Sequence, residues 1–299
     1  MIEVVPTGET LGATVTGLDL TQDLSKAQFA TVLRALGEHG VLRFPDQLIS
    51  ATQLKRFSAR FGEIQVLPTS LFNEPGVPEV SILSNIVENG KPIGVPDAGQ
   101  SWHTDMTYSA VRGFVNILVA YAVPMRDGKP LGATEFTNTR AAYDDLPEDI
   151  KRRFADATAS HDFSMYWDMM RREKGSKRPA LTPEQRAAKP VVHHPVFLTH
   201  PITGRKVIYV NPGFVSMIDG LPREESDRML AYFFEHIMKP QYRYVHRWAV
   251  RDVLLWDHLG TWHNAVADYG PEEHRHMKRC QVLADRIFDP GFVRDALAA

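Results

Sequence analysis

The chain has 299 residues, 43% hydrophobic and 23% charged, close to globular averages, which excludes disordered, collagenous and coiled-coil classes. A formal net charge of −2 leaves no basic surplus to neutralise a phosphate backbone, so nucleic acid is not an expected partner. The one cysteine, Cys280, precludes an internal disulfide framework and suits a reducing compartment. No basic stretch followed by an apolar run opens the sequence, and no run approaches about eighteen apolar residues, so the expected location is the cytoplasm, with no membrane partner.

No internal repeat or low-complexity tract is present, and one domain over residues 1–299 is expected. Alternating apolar residues predict a strand over 13–20. Apolar spacing at Phe29, Val32, Leu33 and Leu36 predicts a helix from Leu24-Ser25 that ends between Gly37 and Gly40. A short strand at 41–44 and a second helix over 51–61, stopped by Gly62, complete a helical decoration spanning 25–62. Residues 65–101 are rich in proline and glycine and read as long loops around one strand at 80–83. Loops this long are candidate lids. The charged segment 168–189, within a second candidate lid at 165–190, reads as a mobile surface insertion or equally as a solvated helix without a catalytic role.

The last third is read as short strands at 191–199, 206–210, 242–248, 253–256 and 276–284, interrupted by an amphipathic helix over 223–238. Many short strands with segregated helices predict a mostly β fold, a cupin-like jelly-roll barrel (double-stranded β-helix) flanked by helices, which encloses a site.

The candidate chemistry begins at Trp102-His103-Thr104-Asp105. Residues two apart on a strand share a face about 6 to 7 Å apart, so an imidazole and a carboxylate can converge on one ion. The triplet alone is weak evidence, because the chain holds 12 histidines. A 2-His-1-carboxylate site needs a third ligand from far along the chain and leaves open coordination positions. Candidates are His193, His194, His200, His236, His246, His258, His263, His274 and His276. His263 stands out because Arg275 and Arg279 lie a short way downstream of it. Four apart in a strand, these arginines face the same way, and two inward guanidinium groups are costly unless each meets an anion. The competing reading leaves both in solvent among Glu272, Glu273 and Lys278. A planar fork suits a dicarboxylate beside a metal.

These residues resemble the taurine and 2,4-dichlorophenoxyacetate dioxygenase family over nearly the whole chain. The likeness runs through Gly17-Leu18-Asp19-Leu20, His39-Gly40-Val41-Leu42-Arg43-Phe44, Trp102-His103-Thr104-Asp105, His194-Pro195, His200-Pro201, Tyr209-Val210-Asn211 and Trp256-Asp257 to the 263–279 segment. The resemblance implies Fe(II) held by His103, Asp105 and His263, with 2-oxoglutarate and O₂ as co-substrates. By the same resemblance Arg275 and Thr134 bind the distal carboxylate of 2-oxoglutarate, and Arg279 pairs with the acidic group of the prime substrate. The family reaction yields succinate, CO₂ and an oxidised substrate, which fragments where the hydroxylated carbon bears a heteroatom.

The pocket departs from the taurine enzyme's pattern: Leu67 replaces a sulfonate-contacting histidine, Ser70 a tyrosine and Gly99 an asparagine, while Trp167 and Phe214 are read as retained aromatic walls. A small organic acid with an apolar or aromatic body is therefore expected, the chain acting as a homo-oligomer, dimer or tetramer. The alternatives are a cupin-like Zn(II) or Mn(II) hydrolase or isomerase, a taurine or alkyl sulfonate dioxygenase, and a binding protein that has lost catalysis.

Overall fold

The computed structural model describes residues 1–66, 72–173, 176 and 179–298. Its largest element is an eight-stranded sheet ordered Glu3–Pro6, Ala13–Thr16, Val41–Phe44, Val253–Asp257, Gly113–Ala122, His276–Leu283, Val77–Ser84 and Asn73–Glu74. Neighbours pair antiparallel except Ala13–Thr16 with Val41–Phe44. A three-stranded sheet, Arg243–His246, Thr134–Asn138 and Thr261–Ala265, lies across a shared apolar layer in which Leu118, Trp256 and Met277 of the large sheet pack with Phe136 of the small one. The architecture is thus mostly β with helices, as the sequence pattern predicts.

The other face of the large sheet is covered by two helices. Lys26–His39 starts at Ser25, whose hydroxyl and Gln28 form a reciprocal capping box, and ends at Gly40 in the left-handed conformation. Its buried residues Phe29, Val32, Leu33 and Leu36 pack with Val115, Ile117 and Val119 of the central strand. Ala51–Ser58 has the same kind of cap at Ser50 and Gln53, and is shorter than the expected 51–61. Their burial of large apolar side chains contributes about 1.5–3 kcal/mol each.

The structure departs from the sequence reading at definite places. The strand expected over 13–20 stops at Thr16, because Gly17 turns at φ +77°, where an added Cβ would lie 2.0 Å from the Met1 carbonyl oxygen. Gly113–Ala122, the longest strand, went unassigned in the sequence: buried on both faces, it shows no alternation. Strand Val77–Ser84 is longer than expected and pairs with residues 276–279, so part of the first candidate lid is sheet. The 168–189 segment carries the end of helix Phe163–Glu173 and the short helix Pro183–Ala187.

Asp257 fixes the turn that feeds the strand Thr261–Ala265. It is 1% exposed and accepts bonds from His200 Nε2 (3.0 Å), the Leu259 N–H (2.8 Å) and the Gly260 N–H (2.9 Å). Burial alone raises its carboxyl pKa; the neighbouring His200 and Arg140 and the Leu259 N–H more than reverse this, so the net shift is downward. A depressed folded pKa stabilises above the unfolded value and loses that contribution as pH falls through the folded one. Asp257→Ala is expected to lower stability by about 3 kcal/mol, because it strands a buried histidine and two N–H groups. The deficit should shrink as the pH drops below about 4. Urea unfolding at neutral pH and at pH 3 checks both; a loss below about 1 kcal/mol at neutral pH contradicts the role.

Candidate active site

His103 and His263 are joined by reciprocal backbone bonds, His103 N–H to the His263 carbonyl at 3.1 Å and His263 N–H to the His103 carbonyl at 2.9 Å. His103 therefore sits in an isolated bridge rather than the regular strand expected of His-x-Asp. The two rings lie 4.2 Å apart between centroids. Asp105 follows on the same side, its Oδ1 3.3 Å from His103 Nε2 and its Oδ2 3.6 Å from His263 Nε2. One ligand atom from each of the three lies within 4.8 Å of the others, the one such grouping of three among the described residues.

The donor set fits a cation. His103 Nδ1 lies 2.7 Å from the Ser101 carbonyl oxygen, which can only accept, so Nδ1 carries a proton and Nε2 is the ring nitrogen turned toward Asp105 and available to a metal. Burial, with the neighbouring His103, holds His263 well below its ordinary pKa and hence neutral. Burial pushes the Asp105 carboxyl up, but His103, His263 and Arg279 outweigh it and keep it well below the usual range, hence ionised. Two imidazoles and one carboxylate are the ligand set of an oxygen-activating iron site.

The two arginines are buried, which rules out the solvent-exposed reading. Arg275 is 7% exposed and the Arg279 side chain 14%. Each Nε lacks a hydrogen-bond partner among the described residues. Both line a cavity with His263, Thr134, Leu118 and Trp256. Tyr269 lies beside the Arg275 guanidinium and favours its charged form, against the burial that lowers its pKa. Thr134 Oγ1 accepts from Trp248 Nε1 at 3.0 Å. An indole only donates, so the threonine hydroxyl hydrogen is left to point elsewhere, as an anion at Arg275 requires. Arg279 Nη1 lies 3.7 Å from Asp105 Oδ2.

An aromatic wall stands beside His103. Tyr166 and Phe214 lie 5.4 and 6.2 Å from the His103 ring, and Tyr108 packs on Phe214 at 4.8 Å. Phe214, read from the sequence as an aromatic wall of the substrate pocket, lies beside the metal-ligand candidate His103. Trp167 is not: its ring packs on Phe163 and its Nε1 donates to the Pro179 carbonyl at 2.7 Å, away from the ligands. Helical geometry explains the correction, since Trp167 is one residue, or about 100°, past Tyr166 on helix Phe163–Glu173. Gly99 does border the site, at φ +76° with its Cβ position 3.5 Å from His103 Cε1. Leu67 and Ser70 lie outside the described residues.

Sequence reasoning missed Asn116, Tyr108, Tyr166 and Trp248. Asn116 had a signal, a lone amide in the apolar run Gly113-Phe114-Val115-Asn116-Ile117-Leu118. The other three are aromatic residues of ordinary composition, placed only by the fold.

Fold and site together define a metal-dependent oxidoreductase of the dioxygenase class. Residues 3–281 match the model of the "Taurine catabolism dioxygenase TauD, TfdA family". The chain belongs to that family, whose enzymes depend on Fe(II) and 2-oxoglutarate. It is 30% identical over 301 residues to a pentalenolactone F synthase of Streptomyces avermitilis, covering 97% of this chain and 96% of that protein. It is 29% identical to an alpha-ketoglutarate-dependent 2,4-dichlorophenoxyacetate dioxygenase of a Burkholderia species, covering 91% of each. Among solved structures it is similar to AAD-2 in complex with Mn(II) and N-oxalylglycine, with TM-score 0.79, 26% identity and coverage of 96% and 98% of the two chains. These matches favour the dioxygenase reading over the hydrolase or isomerase alternative. No helix among the described residues is long and apolar enough to cross a membrane.

Gly213 is a sensitive point of this geometry: a Cβ there would lie 2.7 Å from His103 Cβ. Gly213→Ala is expected to cost about 1–3 kcal/mol through overpacking and to weaken metal binding at the same time. Chemical unfolding and Mn(II) titration check this; unchanged values in both would show that the 211–214 turn yields freely.

Proposed function

We propose that this protein uses His103, Asp105 and His263 to hold Fe(II), Arg275 and Thr134 to hold the distal carboxylate of 2-oxoglutarate, and Arg279 to seat the anionic group of a small organic acid. The two sheets are read as the halves of a double-stranded β-helix around this site. The observation that carries the proposal is the buried pair Arg275 and Arg279, opening on the same cavity as His263. Two buried guanidinium groups with unpaired Nε atoms call for anions, and the spacing supplies one place for a co-substrate and one beside the metal for a substrate.

When bound, the iron supplies activation of O₂ against the 2-oxo acid, with succinate, CO₂ and an oxidised substrate as products. The protein's part is positional. Arg275, steadied by Tyr269, and Thr134, steadied by Trp248, fix the co-substrate's far end. Arg279 orients the substrate anion, while Tyr166, Phe214 and Tyr108 present an apolar face that excludes water from the metal side. Burial raises the Tyr108 pKa, so its hydroxyl stays protonated and can donate to a substrate.

Anaerobic Fe(II) and 2-oxoglutarate should give the visible charge-transfer band of a chelated keto acid, and His103→Ala should abolish both the band and succinate formation. Arg275→Ala should raise the 2-oxoglutarate KM by about tenfold or more, the loss of a charge-assisted bidentate contact. An unchanged KM would reassign the co-substrate arginine.

The similar proteins act on quite different bodies, so substrate choice rests on the pocket. An aromatic wall beside one arginine favours an acid with an apolar or aromatic body over taurine. In a panel of aryloxyalkanoates, alkyl sulfates and taurine, read by succinate release, an aryloxy acid or alkyl sulfate should give the highest kcat/KM. Taurine as the best substrate would overturn this choice.

A further inference from the structure

Asn116 is an amide in the middle of an otherwise apolar part of the strand Gly113–Ala122, and it is 0% exposed. It lies opposite Trp256 on one side and Gln281 on the other, facing the cavity shared with His263 and Arg279. A buried amide is costly unless it is used. Its Nδ2 donates to Asp105 Oδ2 at 2.7 Å. The amide's orientation is set by chemistry, since an ionised carboxylate only accepts. The Asn116 Oδ1 atom has no partner among the described residues, so the contact with Asp105 is the use the structure shows for this side chain.

We infer that Asn116 is a positioning residue that holds Asp105 in a one-oxygen mode of ligation; this rests on the reading of His103, Asp105 and His263 as metal ligands. Oδ2, engaged by Asn116, lies 3.6 Å from His263 Nε2, while Oδ1, which Asn116 leaves free, makes the closer approach to a ligand nitrogen, 3.3 Å from His103 Nε2, and is the ligating oxygen in this reading. A carboxylate free to rotate could present both oxygens and occupy a position that co-substrate or O₂ needs. Arg279 does not duplicate this hold. Its Nη1 is 3.7 Å from Oδ2, beyond hydrogen-bond length, and its guanidinium is given to the substrate's anion. The Asn116 bond therefore keeps Asp105 oriented whether or not Arg279 is drawn to substrate. Outer partners of this kind contribute about 10- to 100-fold to metal affinity.

The test is Mn(II) titration of the full chain without co-substrate or substrate, with free Mn(II) read from its electron paramagnetic resonance signal. It is paired with the visible band of the anaerobic Fe(II)·2-oxoglutarate complex. Asn116→Ala and the volume-conserving Asn116→Leu should each weaken Mn(II) binding by about tenfold and shift the band, while Asn116→Ser, which keeps a short donor, recovers part of both. Mn(II) affinity and band unchanged in the Ala and Leu variants, while His103→Ala loses Mn(II), overturns the role of Asn116 and leaves the ligand set standing. Mn(II) affinity equal in wild type and His103→Ala overturns the ligand set, and this inference with it.

Discussion

The site depends on one pair of backbone hydrogen bonds, the reciprocal bridge between His103 and His263. Residues far apart in sequence become direct cross-strand neighbours, and their rings meet because paired residues on antiparallel chains project to the same side. Asp105 then arrives two residues on. The bridge is short, but both of its chains are pinned elsewhere. Thr104 Oγ1 donates to the Thr261 carbonyl, and the Ala265 N–H donates to the Gly99 carbonyl, so the 99–104 segment is held to the strand Thr261–Ala265 on both sides of the ligands. The same strand pairs with Thr134–Asn138, which places Thr134 opposite Ala265 and Phe136 opposite His263. The proposed ligand His263 and the proposed co-substrate residue Thr134 are thereby registered on one small sheet.

The large sheet contributes the opposing charges. Arg275 and Arg279 are carried at the start and within the strand His276–Leu283, and Asn116 comes from the adjacent strand, with Gln281 as its partner in register. Buried near the cavity are one carboxylate and two guanidinium groups, a positive excess before any metal is counted. A divalent cation adds to it. A dicarboxylate co-substrate and a monoanionic substrate together cancel the total, and a low-dielectric interior strongly favours that balance. The charge distribution thus points to the same pair of anions as the placement of Thr134 and the two arginines.

How much of this was legible in the sequence depends on the property each signal measures. The helices at Ser25 and Ser50 were readable because capping residues and apolar spacing are local properties. The strand Gly113–Ala122 was not, because burial on both faces erases alternation, and with it went Asn116. His103, Asp105 and His263 were separable from the other histidines only through their order relative to Thr134, Arg275 and Arg279, since spacing alone cannot show which histidine is bridged to which. Trp167 illustrates the reverse error. The family resemblance suggested an aromatic wall at Trp167, but a one-residue difference in helical phase sets Tyr166 beside His103 and turns the indole toward Pro179.

That phase difference bears on specificity. Tyr166, Tyr108 and Phe214 form a wall of rings on the His103 side, and both tyrosines carry a hydroxyl at the edge of an apolar face. An apolar pocket alone discriminates substrates by only about 1–3 kcal/mol per methylene, whereas a pocket with a buried donor rejects ligands that leave it unpaired far more strongly. On the proposed function Arg279 would select for charge, and the aromatic wall for a body that can pack flat against rings. A Tyr108 hydroxyl held protonated by its surroundings adds preference for an acceptor atom between the two. On the same proposal an ether or ester oxygen linking an acid to an apolar group would satisfy all three at once, and a short amino sulfonate only the first.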